Sequence, residues 1–211
     1  MLGLTRRLAG ERLLLQSAAT QVDITAFRHQ LVKRVEARQP LAASIKREAD
    51  FEDHHVIAPA WQLATKNPGI FLCVHPAPVK VRCKPTCEDA NEARQRKKGC
   101  SRCWADSKAW SVVQAWGLRH TFDLVARDKR VKTLAVEVKW LKFKGGKAPN
   151  SEFQRFIGQC VLATAVHDQV VGVCCVVGGR DRAFERHTKA FTRKLRKVAV
   201  RLVVLRVRSF P

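Results

Sequence analysis

The sequence predicts an α/β core with one small inserted segment, and three observations predict it. Apolar runs of strand length alternate with helix-like stretches through the second half of the chain. The first sixty or so residues carry helical spacing instead. Between the two halves lies a stretch rich in Lys, Arg, Pro and Gly that holds four cysteines in two close pairs.

The elements follow in order. Near the start, Arg6, Arg7 and Arg12 surround Leu8 and Leu13-Leu14-Leu15, which is too short and too interrupted for a secretory segment and reads as a surface amphipathic helix. Asp23 can cap a helix in which Ile24, Phe27, Leu31 and Val35 recur at helical spacing, and Pro40 interrupts it. A second helical stretch covers residues 41–55 and is limited by Pro59. Pro68, Gly69 and Pro76 mark irregular chain, with a short strand at 70–74 between them. Residues 106–116 fit helix or strand equally. Two apolar runs around Asp123 and Glu137 form a hairpin turning at 127–132. Then come a helix at 151–167, a strand at 170–177 ended by Gly178-Gly179, a basic helix at 180–197 and a last strand at 198–207. The organisation is an N-terminal helical part of the core at 1–70, a cysteine segment at 71–105 and the α/β core proper at 106–211.

Composition narrows the function. A 211-residue chain that is 46% hydrophobic can bury one medium core. Its net charge of +22 repels itself unless a polyanion neutralises it, and nucleic acid is the partner such a surface fits best. No stretch approaches the roughly 20 apolar residues of a spanning helix, so a membrane is not expected. Without a secretory signal the thiols are expected reduced and the protein cytoplasmic, associated with DNA or the nucleoid.

The eight cysteines divide by their surroundings. Cys73, Cys160, Cys174 and Cys175 sit among apolar residues and read as small buried hydrophobes. Cys83, Cys87, Cys100 and Cys103 have the spacing C-x3-C-x12-C-x2-C, which suits four thiolates around a tetrahedral, structural Zn2+. Four thiolates leave no open position for water, so the expected role is structural.

The densest chemistry lies in the hairpin. Glu137-Val138-Lys139 interrupts the apolar run Leu134-Ala135-Val136, and Asp123 interrupts Thr121-Phe122 and Leu124-Val125-Ala126 fourteen residues upstream. A charge inside a buried strand is costly unless it is paired or ligated, and a divalent cation would do both. Side chains alternate across a strand, so Glu137 and Lys139 share one face, and the turn can bring Asp123 beside them. The same charges would suit the solvated face of an edge strand, but the apolar residues on both sides argue against it.

Asp123 on one strand and Glu137-x-Lys139 on the next resemble the core motif of the PD-(D/E)XK nuclease superfamily, with Phe122 where the family name places proline. The resemblance covers residues 118–178. It implies a restriction-endonuclease-like mixed sheet flanked by helices and a metal-dependent nuclease hydrolysing phosphodiester bonds, most simply a DNA endonuclease. It further implies Mg2+ or Mn2+ held by Asp123, Glu137 and the Val138 carbonyl, and Lys139 orienting water or stabilising charge on the phosphate. Members often carry a polar residue on the following helix, where Gln159 is preferred over Gln154 because it follows the small Gly158. They also often carry an acid on the first helix, where Glu36 and Glu48 both stand, with Glu52 behind them. Lys142, Lys144 and Lys147, with Gly145-Gly146, form a mobile basic loop past the site that can clamp a phosphate backbone. The expected partner is nucleic acid, DNA ahead of RNA, with a homodimer suited to double-strand cutting. Two alternatives stand beside this reading: a zinc-containing nucleic-acid-binding protein on a degenerate, non-catalytic nuclease core, and a basic RNA-binding, ribosome-associated protein.

Overall fold

The computed structural model describes residues 22–38, 47–67, 69–74, 112–115, 118–144, 146–179 and 181–207. The zinc-candidate cysteines Cys83, Cys87, Cys100 and Cys103 lie outside these residues, as does the basic N-terminal stretch.

Helix α1 spans Ile24–Ala37. Asp23 starts it, its Oδ1 accepting from Ala26 N at 2.8 Å, and Ile24, Phe27, Leu31 and Val35 are buried on one stripe. A second helical rod begins as α2 at Glu48–Phe51, passes through a π turn at Glu52–Ile57 and continues as α3 at Ala58–Lys66. The proline at 59 therefore does not limit this rod as the sequence suggests. A proline lacks an N–H and its ring collides with the carbonyl four residues back. Widening the helix just ahead of Pro59 leaves it in the first turn of α3, where both defects are tolerated.

The main sheet is mixed and five-stranded. Its strands are β1 (Phe71–Val74), β4 (Leu124–Arg127), β5 (Thr133–Lys142), β6 (Gln169–Val177) and β7 (Val200–Arg206), in the spatial order β1-β4-β5-β6-β7. β1, β4 and β5 pair antiparallel, whereas β5, β6 and β7 run parallel. Parallel pairing needs a crossover, which α4 (Asn150–Ala163) and α5 (Arg182–Leu195) supply. A separate hairpin joins β2 (Val112–Ala115) to β3 (Leu118–Thr121).

Alternation along the strands builds two cores. Leu134, Val136 and Val138 of β5, with Val171, Val173 and Cys175 of β6, pack under α1 and the α2–α3 rod. Ala135 and Leu141, with Val170, Cys174 and Val176, pack under α4 and α5. The protein is thus an α/β fold with helices on both faces of the sheet. Gly172 allows α4 its close approach, since a Cβ there would stand 2.7 Å from Cys160 Sγ and 3.0 Å from the Phe156 ring.

The β4–β5 turn is built around Asp128, only 5% exposed. Its carboxylate accepts from Arg130 N at 2.9 Å, Lys132 N at 3.0 Å and, across the fold, Ile24 N at 3.2 Å. Val131 takes φ +64° to close this three-residue loop, the position such loops normally give to glycine.

Candidate functional site

β4 stops pairing at Leu124, opposite Val136, and among the described residues no strand continues along the outer half of β5, whose edge is open there. Phe143 N donates to Val177 O of β6, so odd-numbered residues at this end of β5 turn their amides toward β6. Val138 and Trp140 therefore turn theirs, N–H and C=O alike, toward the open edge. Two carboxylates meet them. Asp123, one residue before β4, accepts from Val138 N at 2.6 Å. Glu48, the first residue of α2, accepts from Trp140 N at 3.2 Å and from Lys139 Nζ at 2.8 Å.

Glu137 is 5% exposed, on the β5 face that α4 covers, opposite Gly172 of β6. Its charge reaches Asp123. Burial pushes the Asp123 carboxyl up to about 9, the negative charges of Glu137, Glu52 and Glu48 add to the effect, and the Val138 N–H opposes it. Four acidic residues from three chain segments therefore share one electrostatic environment, with Lys139 the cation among them. The thiol of Cys160 on α4 is pushed up as well, by burial first and then by Glu137.

Of the two first-helix candidates, Glu48 reaches Lys139, while Glu36 pairs with Arg201 of β7 at 2.8 Å, two strands away from β5. Glu52 joins through the π turn. Its separation of four residues from Glu48 puts both on one side of the rod, and that spacing was the sequence signal for it. Gln159 is half-buried on α4, beside Cys160. Lys142 is exposed at the end of β5. In the basic loop, Lys144 and Lys147 exchange backbone bonds of 3.3 and 3.0 Å, and Lys144 Nζ lies 3.7 Å from Glu152. Gly146, at φ +73°, lets the chain reverse there.

Among the described residues no three His, Cys, Asp or Glu side chains come together as a metal cage. Mg2+ asks for less, taking one or two carboxylates and keeping several waters. The residues the resemblance names as ligands, Asp123, Glu137 and the Val138 carbonyl, would offer hard oxygens, a donor type that suits Mg2+ or Mn2+. An Asp123 carboxyl held protonated by burial and its acidic neighbours is also a group whose ionisation a cation would restore.

No helix among the described residues is long and apolar enough to cross a membrane. Compared with protein-family models, with curated proteins and with solved structures, the chain finds no match.

Proposed function

We propose that this chain is a Mg2+- or Mn2+-dependent nuclease hydrolysing phosphodiester bonds, a DNA endonuclease on a restriction-endonuclease-like core. A structural Zn2+ on Cys83, Cys87, Cys100 and Cys103 belongs to the same reading, and metal analysis finding one zinc per chain is the expected result. The observation that carries the proposal is the meeting of Glu48, Asp123 and Lys139 at the open edge of β5, beside buried Glu137. The chain order of helix, antiparallel hairpin, helix and parallel strand supports it.

The chemistry follows from where charge is stored. Asp123, Glu137 and the Val138 carbonyl would hold the divalent cation, which when bound supplies neutralising charge at the phosphate and a more acidic water. Asp123 gives up its proton for this, so the site loads better at higher pH. Lys139 presents an ammonium toward the charge that develops on the phosphate. Glu48 is a positioning residue: it fixes Lys139 through one oxygen and the β5 edge through the other.

The test uses plasmid DNA and the full chain in Mg2+, Mn2+ or EDTA. Metal-dependent cutting should fall by roughly 100-fold or more in Asp123→Asn and in Lys139→Ala, both still folded by thermal melting. A wild-type protein that binds DNA in every buffer and never cuts it would leave the non-catalytic reading in place.

A further inference from the structure

We infer that the outer face of α5 is a docking surface for the phosphate backbone of duplex DNA, separate from the carboxylate site. This rests on the nuclease reading for the kind of partner, and on α5 itself for the surface. Arg182, Arg186, Lys189 and Arg193 follow one another at intervals of four, three and four residues, which keeps them on one stripe of the helix, and Arg196 and Lys197 prolong it. All six are exposed.

Several cations elsewhere among the described residues are already engaged. Lys132, Lys139, Arg201 and Arg206 each hold a carboxylate, in Asp168, Glu48, Glu36 and Glu185 respectively. Glu185 is the one acid within α5, and Arg206 occupies it. None of the six stripe residues forms an ion pair among the described residues. A row of unpaired like charges is costly to hold together, and a polyanion relieves that cost.

The geometry selects among polyanions. At about 1.5 Å per residue the stretch from Arg182 to Arg193 extends roughly 17 Å. Phosphates of one DNA strand recur about every 3.4 Å along the axis, so the stripe matches roughly five of them. An anionic membrane is the poorer fit. A helix that lies on lipid inserts its apolar face, whereas α5 has spent that face on the protein core. Phe184, Thr188 and Leu195 are buried, and Phe191 packs on the Phe153 ring with centroids 6.0 Å apart.

α5 covers β6 and β7, and the carboxylates lie at the edge of β5 that faces β4. The stripe therefore contributes affinity and salt dependence and does not reach the reacting phosphate. Backbone contacts of this kind carry no sequence preference.

The experiment measures binding of a 20-base-pair DNA duplex to the full chain in EDTA, where cutting cannot interfere, across a salt series. The triple variant Arg186→Gln, Lys189→Gln, Arg193→Gln is compared with an equal-charge control, Lys33→Gln, Lys129→Gln, Arg130→Gln, built from exposed cations on other elements. The stripe variant should lose at least tenfold in affinity at 100 mM salt, and the slope of log affinity against log salt should shrink by about 2 to 3. The control should lose less than threefold. Equal losses in both variants overturn the inference, because net charge alone would then explain binding. Unchanged binding in the stripe variant also overturns it, and does so without touching the nuclease reading. Tenfold tighter binding to duplex RNA, or to phosphatidylserine-containing vesicles, would reassign the surface and overturn the DNA partner.

Discussion

Asp128 has a single carboxylate and satisfies three backbone amides with it, one of them at the start of a helix more than a hundred residues away in sequence. The Ile24 amide would otherwise be a buried donor without a partner, which costs roughly 1–3 kcal/mol, and the two part-buried bonds to Arg130 and Lys132 hold the turn. Asp128→Ala is therefore expected to destabilise the protein by about 2–4 kcal/mol, read as a lower denaturant midpoint with an unchanged slope. Asp123 is the contrasting case. Its carboxylate accepts from one amide, but its neighbours are acids and its protonated form is favoured. Two aspartates five residues apart, at the two ends of one short strand, thus do opposite work: one closes a turn, the other keeps a site electrically unsatisfied.

At the level of elements, the local signals in the sequence were sufficient wherever one strand or helix buries one face. The hairpin, α4, β6, α5 and β7 all sit where apolar periodicity and Gly178-Gly179 punctuation place them. α1 starts at the aspartate that caps it. Legibility fails where the deciding contact is distant. Whether Glu36 or Glu48 approaches Lys139 depends on how α1 and α2 cross the sheet, and the Glu48–Lys139 contact spans 91 residues. The pairing of β1 with β4 joins residues about fifty positions apart, and nothing in the four-residue strand announces its partner. Pro59 misleads for a different reason, since a π turn is a tertiary accommodation that propensity does not foresee. The Glu-x-Lys interruption of an apolar run was visible, because charge amid buried strand residues is rare.

At the scale of the whole molecule, two buried groups among the described residues pull the pH response of the metal-free protein in opposite directions. His167 is 4% exposed and lies edge-on to the Phe122 ring at 5.2 Å, with no described hydrogen-bond partner at either ring nitrogen. Burial pushes it down to about 4, with Asp168 opposing. The unfolded chain takes up that proton nearer pH 6.5, so this group makes stability rise with pH between about 4 and 6.5. Asp123 acts in the other direction. Its folded form keeps a proton up to about 9 that the unfolded chain releases near 4, so stability falls across that window. Each group contributes a slope of up to about 1.4 kcal/mol per pH unit. From these two groups, melting experiments in EDTA should find little change from pH 4.5 to 6.5 and a decline from 6.5 toward 9. Saturating Mg2+ should remove the decline, as should Asp123→Asn. A melting temperature that climbs through pH 7 to 9 without metal would contradict the assignment.

The shortness of β4 has a bearing on how the folded chain avoids its own kind. An interior strand with bare amides is a template on which a neighbour's extended segment can add, and such addition seeds fibrils. Along β5 that template is blocked, since the Val138 and Trp140 amides are already engaged by Asp123 and Glu48. An invading backbone would have to displace two acidic side chains and bring its own carbonyls into their place. Asp123 thus shields the edge and, in the proposed function, would also hold the cation, so alanine at position 123 would surrender both at once.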